Sequence, residues 1–270
     1  MLEAIGVDVG GTKVAVGRVR VGDGAVLDRR QFATGKADSD RVLADALSLA
    51  AEMMSPEVGA IGVGLCELVD HDGIVRSAQT VDWLGLDLAA SFGTIARTLI
   101  QSDVRAAARA EARYGTAKDC GHVLYVSVGT GVSCTLLIDG MPYSGADGFG
   151  LVLGERMLEG LVSGAGLQEL LGIRSLVAET ARSHVRVVVA AAAESLGKAV
   201  AVLVNALGPR LIVVGGGLGL SDLYFTHLEL GVRRHVDSTI GGRLEIVRAA
   251  LGADAGIIGA AAFAAERWVA

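Results

Sequence analysis

The stretch AIGVDVGGTKVAV, Ala4 to Val16, sets a polar, glycine-bearing turn (Asp8-Val9-Gly10-Gly11-Thr12-Lys13) between two apolar runs. Both runs are rich in valine and short enough to read as strands. Gly22-Asp23-Gly24 then gives a hairpin signal ahead of AVLDRRQFA, so three antiparallel strands are expected to open the chain. The same order returns at HVLYVSVGTGVSCTLLIDG, which begins at His122: apolar strand, glycine-bearing turn, apolar strand, Asp-Gly hairpin. Gly10 and Gly129 occupy matching positions. So long a period does not suit a solenoid and points to a duplicated subdomain.

Between and after the two repeats the pattern alternates. Residues 38–54 have helical apolar spacing with Asp38 or Ser39 as the cap, and residues 60–65 read as a buried strand. His71-Asp72-Gly73-Ile74 reads as a tight turn, and residues 88–100 and 106–114 as helices. A long helix is expected over 185–207, then a strand at 210–214, the run Gly215-Gly216-Gly217 and another helix. A strand at 244–249 and an alanine-rich helix at 255–267 close the chain. Strands alternating with helices make the class α/β, and the duplication predicts two similar halves facing each other across a cleft.

Composition narrows the partners. The 270 residues suffice for two cores, and with 51% apolar but only 4% aromatic residues those cores must be aliphatic. A net charge of −6 without any basic block argues against nucleic acid as a partner. Cys66, Cys120 and Cys134 form neither a disulfide framework nor a zinc motif, which suits a reducing cytoplasm. No signal peptide is visible at MLEAIGVD. Residues 185–207 are apolar, but Arg186, Glu194 and Lys198 interrupt them, so a core helix is expected rather than a membrane span. The five histidines match no metal spacing.

Three glycine-bearing turns each follow an apolar strand: DVGGTK at 8–13, SVGTGV at 127–132 and VVGGGLG at 213–219. Glycine lets backbone N–H groups approach a bound anion, and Thr or Ser adds hydroxyl donors. A lysine offsets phosphate charge, and a carboxylate at a strand end suits hydrated Mg²⁺. None of the turns is a P-loop or a dinucleotide fingerprint, and singly each is more often a tight bend. Together, in this order, they point to a nucleotide held between two domains.

These motifs resemble the ROK family of sugar kinases, members of the actin-like, hexokinase-like ATPase superfamily. DVGGTK is similar to the family's first phosphate motif and SVGTGV to its second, while LVNALGPRLIVVGGGL is similar to its adenosine-side motif. The ending LGADAGIIGAAAFA resembles the family's closing segment. The resemblance runs along nearly the full chain and implies two actin-like (ribonuclease H-like) domains. Residues 1–113 plus 256–270 would form the first, and 114–255 the second. It implies ATP and Mg²⁺ as cofactors. Asp8 would hold Mg²⁺ through water, and Gly10, Gly11, Thr12, Lys13, Gly129, Thr130 and Gly131 would line the phosphates. Gly215, Gly216 and Gly217 would lie along the adenosine.

On the acceptor side, Gln101-Ser102-Asp103 stands where the family has Asn-Asp, whose Asp takes the proton of the sugar hydroxyl. From the residues alone Asp103 reads as a helix cap; the resemblance makes it the general base, with Ser102 in place of the Asn. Elsewhere the chain departs from the family. On the alignment of GADGFGLVLGE, residues 145–155, Val152 replaces a sugar-binding Glu and Glu155 a His that touches sugar and zinc. The cysteine-rich zinc loop is missing, so no structural zinc is expected. Glu159 matches the next sugar-contacting Glu. Cys66-Glu67 stands in place of a Pro-Gly, and Thr80 falls nearest a sugar-binding Asn, with Trp83 expected to pack rather than stack on ligand.

The function implied is ATP-dependent phosphorylation of a hydroxyl on a sugar, amino sugar or cyclitol. Extra carboxylates at Glu67 and Glu155 beside Asp103 and Glu159 favour a cationic acceptor, such as a glucosamine- or kanosamine-like sugar. A catalytically idle sugar-binding protein and a polyphosphate-dependent kinase are the alternatives. Family repressors carry a helix-turn-helix segment ahead of the first motif, and only residues 1–7 precede Asp8, so a repressor is not expected. The resemblance also implies a homodimer.

Overall fold

Valine-rich β1 (Glu3–Val9) and β2 (Lys13–Arg20) bury nearly all their apolar side chains, pairing antiparallel with Val9 opposite Val14. β3 (Ala25–Ala33) carries Asp28, Arg29 and Arg30 along an outer edge, as suits a solvated edge strand. The computed structural model describes residues 2–35, 38–150 and 156–269, which divide into two units. The first comprises Met1–Lys118, Pro142–Leu151 and Ala253–Ala270; the second comprises Asp119–Met141 and Val152–Gly252.

In the first unit α1 (Ser39–Glu52) starts at Asp38, whose carboxylate accepts the Arg41 N–H at 3.1 Å. β4 (Val58–Leu65) lies parallel to β1, and after the short α2 (Leu88–Gly93), β5 (Thr98–Ser102) lies parallel to β4. α3 (Asp103–Tyr114) follows directly. The sheet order is β3-β2-β1-β4-β5. One face packs Ile5, Val7, Val14, Ile61, Val63 and Ile100 against Val42, Ala46, Ala50 and Phe92. The helix expected over 88–100 is corrected here. It stops at Gly93, and Thr98-Leu99-Ile100 gain more as an added strand on β4, where their backbone groups are paired. Trp83 is buried, with its indole N–H donated to the Ser39 carbonyl at 2.9 Å.

The second unit opens with β6 (His122–Val128) and β7 (Val132–Ile138), with β8 (Met141–Pro142) at the edge. α4 (Arg156–Val162), α5 (Gly164–Leu171), α6 (Leu176–Glu179) and the long α7 (Ser183–Leu207) precede β9 (Leu211–Gly215). α8 (Asp222–His235), α9 (Ser238–Gly241) and β10 (Glu245–Arg248) complete it. The order β8-β7-β6-β9-β10 repeats that of the first unit strand for strand. α7 is long and apolar enough to span a membrane, yet Val185, Val189, Leu196, Val200 and Val204 form one face buried in the unit. It packs closely on α8, where a Cβ at Gly197 would fall 2.3 Å from the Leu228 carbonyl oxygen.

The chain then returns to the first unit as α10 (Ala255–Val269). α10 crosses the other face of that sheet almost in backbone contact: a Cβ at Gly6 or Gly62 would fall under 2 Å from the Ile257 or Ala260 carbonyl oxygen. The first unit also takes in residues 142–150, which fall inside the 114–255 block expected for the second domain. The attachment is polar. His71 Nε2 lies 3.2 and 3.0 Å from the Gly145 and Ala146 carbonyls, and Arg105 donates to the Gly148 carbonyl.

Candidate active site

The parallel register of the first sheet builds the site. Val9, Leu65 and Ser102 stand in one row across β1, β4 and β5, so the residues that follow them share one edge. That edge is the carboxyl end of the parallel strands, where open α/β sheets place their ligands. It carries Asp8 and the first glycine turn from β1, Cys66 and Glu67 from β4, and Asp103 after β5. The Gly10 N–H closes the turn onto the Lys13 carbonyl at 3.0 Å. Thr34, the residue after β3, braces it, its hydroxyl on the Gly10 carbonyl at 2.8 Å and its N–H on the Thr12 carbonyl at 3.0 Å.

Asp8 abuts the start of α10. A Cβ at Gly256 would fall 2.5 Å from the Asp8 carboxyl carbon, so glycine there is required by the carboxylate. Burial pushes Asp8 up to about 6, opposed by the charges of Lys13 and Arg29. Asp103 is the first residue of α3, and Ser102 occupies the cap position without bonding the helix backbone. The Asp103 carboxylate accepts the Val104 N–H at 2.6 Å, and the neighbouring Ser102 hydroxyl adds a weaker pull toward the ionised form. Burial first, then the charge of Asp8, pushes Asp103 up to about 7 despite both. The two carboxyl groups are within electrostatic reach, and Asp103 is thereby tuned close to neutral pH, where a general base is most effective.

Glu67 departs from its expected role as a free carboxylate at the acceptor. It is 2% exposed, and both oxygens are taken up by the chain. Oε2 accepts from the Ser77 hydroxyl and the Gln79 N–H, and Oε1 from the Thr80 and Val81 N–H groups. Cys66, the residue before Glu67, places its thiol at the same strand end. Burial and the charges of Asp103, Glu67 and Asp8 hold that thiol well above the usual range, so it is a poor nucleophile.

The second unit joins its two motifs. Gly215 pairs with Ser127, so the glycine run leaves β9 beside the SVGTGV turn. Gly216 has φ +80°, and a Cβ there would fall 2.3 Å from the Val128 carbonyl oxygen; the Leu218 and Gly219 N–H groups bond that oxygen at 3.0 and 2.9 Å. The Gly129 N–H closes onto the Gly131 carbonyl at 2.9 Å, and the first amides of α5 bond the Gly129 and Thr130 carbonyls at 2.8 and 3.0 Å. Glu159 on α4 accepts the Val132 N–H at 3.0 Å, which places it under this turn. Thr130 and Gly217 are exposed. Val152 and Glu155 lie outside the described residues.

Sequence reasoning thus missed Gly256, Arg29 and Cys66 as neighbours of the two carboxylates, and the four partners of Glu67. The glycine of GADAGIIG was the visible trace of the first.

The description of the ROK family matches residues 4–267. The chain belongs to the ROK family. Among ROK relatives, the glucokinase of Thermotoga maritima is 25% identical across 98% of each chain. The kanosamine kinase of Amycolatopsis mediterranei is 32% identical over 52% of this chain and 48% of its own. The ROK family glucokinase from Streptomyces griseus, solved in complex with glucose and AMPPNP, superposes with a TM-score of 0.85 at 24% identity, covering 98% and 99% of the two chains. That likeness carries the fold, two actin-like domains with a five-stranded sheet in each.

Proposed function

We propose that this ROK chain is an ATP-dependent carbohydrate kinase, with Asp103 as the base that takes the proton of the acceptor hydroxyl. The observation that carries the reading is the Asp8–Asp103 pair at the strand ends, with Asp103 pushed up to about 7. A base tuned near the working pH combines a useful deprotonated fraction with a strong pull on the hydroxyl proton. Membership of a family that includes relatives named glucokinase and kanosamine kinase supports the substrate class.

The amides of Gly10 and Gly11, with Thr12 and Lys13, hold phosphate oxygens on one unit. Gly129, Thr130 and Gly131 do so on the other, where Gly215, Gly216 and Gly217 border the adenosine. Asp8 fits Mg²⁺ as a single buried carboxylate, since that ion keeps most of its waters and takes one or two carboxylates beside phosphate oxygens. When bound, the ion would offset charge on the transferring phosphoryl group. The protein's own part is orientation: the Val104 N–H fixes the base, and the glycine turns offer amides to the donor's phosphates.

The acceptor is a hexose or an amino hexose. With both Glu67 oxygens bonded to the chain, the case for an amino group rests on the likeness to kanosamine kinase. A panel of glucose, glucosamine, kanosamine and N-acetylmannosamine, each with MgATP and with magnesium polyphosphate, tests the reading. Turnover with MgATP that vanishes in Asp103→Asn is the expected result. Sugar binding without turnover on either donor would instead mark a catalytically idle binding protein. A homodimer goes with the same proposal and is checked by light scattering.

A further inference from the structure

We infer that Glu67 is a positioning residue for the phosphate acceptor: its carboxylate anchors segment 77–81, and so holds Thr80 at the strand edge that carries Asp103. This rests on the role proposed above for Asp103. Segment 77–81 belongs to no helix or strand, so its backbone N–H groups need partners from elsewhere. Glu67 supplies three of them, at Gln79, Thr80 and Val81, and takes the Ser77 hydroxyl as well. Ser77 in turn accepts the Leu68 N–H at 2.9 Å, hooking the segment's start to the chain next to Glu67. Its far end is tied separately, through the Asp82 N–H and the Trp83 indole to Ser39.

The choice of a carboxylate is informative. Three convergent N–H donors and a hydroxyl need four acceptor positions, which a carboxylate offers and an amide does not. Placing a carboxylate within reach of Asp103 carries a penalty from like charges. A buried charge is by itself weak evidence of stabilisation. The consequence of this arrangement is local: Glu67 follows Leu65 by two residues and Leu65 pairs with Ser102, so the Thr80 N–H bonded to Glu67 is held at the strand edge that carries Asp103. The inference is therefore that Glu67 shapes the floor on which the acceptor sits without itself touching the acceptor.

The experiment compares wild type with Glu67→Gln, Glu67→Asp and Ser77→Ala, reading amide hydrogen exchange by mass spectrometry and steady-state kinetics. Glucose and glucosamine serve as acceptors with MgATP. Glu67→Gln is expected to speed exchange at amides 79–81 by about tenfold or more, as local opening becomes easier. It should raise the sugar KM by about tenfold, the scale of a lost buried bond to a charged group, with kcat and the MgATP KM changing much less. Glu67→Asp should recover part of the sugar KM, and Ser77→Ala should move it less, in the same direction. These two variants decide the matter if Glu67→Gln does not fold.

Unchanged exchange at 79–81 overturns the inference, as does faster exchange with an unaltered sugar KM. A fall in kcat alone, with both KM values kept, would mean only a smaller folded fraction and also overturns it. Failure of the underlying function looks different. It is a wild type that phosphorylates neither sugar, or an Asp103→Asn variant that keeps full turnover, whatever the exchange pattern.

Discussion

The two glycine turns share a scaffold and differ in what they present. Each joins the first two strands of a sheet with the same strand order, and each closes from the N–H of its first glycine. The first turn is flanked by Asp8 and Lys13 and is braced by one threonine just after β3. The second carries no charge of its own and is clamped by backbone: two amides of α5, two amides after the glycine run, and the Glu159 carboxylate. A duplicated frame has thus been specialised, with titratable chemistry on one unit and a rigid amide cradle on the other. Burial of the charged pair produces the first property; close backbone contact around Gly216 produces the second.

Removing the base is the sharpest way to break this contrast. Asp103→Asn should lower kcat by about 10²–10⁴-fold, the usual range for a general base, with the MgATP KM nearly unaltered. The same variant should raise the melting temperature at pH 8, because it removes one of two buried like charges. Equal stability of variant and wild type at pH 8 would contradict the electrostatic account of the pair.

Next in size is a matched pair of glycine substitutions. Gly216→Ala puts a Cβ into the Val128 carbonyl and strains a residue at φ +80°, which costs on the order of 1–3 kcal/mol. Its kinetic effect should fall on the MgATP KM. Gly256→Ala pushes against the Asp8 carboxylate and should fall on kcat and on the Mg²⁺ concentration needed for half-maximal rate. If both variants altered the same constants, the division of labour between the units would be wrong.

The pH profile gives a smaller and graded effect. kcat/KM should rise through about pH 7 and level off above it, since the base works deprotonated and Asp103 is pushed up to about 7. For stability the sign is the opposite. Asp8 and Asp103 are raised above their ordinary 3.8, so their stabilising contribution is complete below about pH 4 and is lost as pH rises through 6 to 7. Melting curves in chelator from pH 5 to 8 should show this decline, and Asp103→Asn should flatten it. The smallest effect expected is for Glu159→Gln, which keeps one acceptor for the Val132 N–H and should cost about 1 kcal/mol.

Much of the frame was legible because its signals are local. Alternating valines around DVGGTK and SVGTGV, and the hairpin glycines after them, specified strands and turns within a few residues. Residues 88–100 misled for the converse reason: Leu, Ala, Phe and Ile suit a helix, and only pairing with β4 made 98–102 a strand. Glu67 misled likewise. An added carboxylate near an acceptor motif looks like a ligand contact, whereas its partners lie ten to fourteen residues on, in a loop without periodic pattern.

By itself, then, the sequence determined the two glycine turns, their order and the α/β frame, since strand and turn propensities act over a few residues. The tertiary structure decided what those residues work against. Parallel register brings Asp8 and Asp103 to one strand edge, α10 folds back to set Gly256 on Asp8, and segment 77–81 closes around Glu67. These depend on contacts between residues far apart in the chain, where burial and neighbouring charge, rather than residue type, set how a carboxylate behaves.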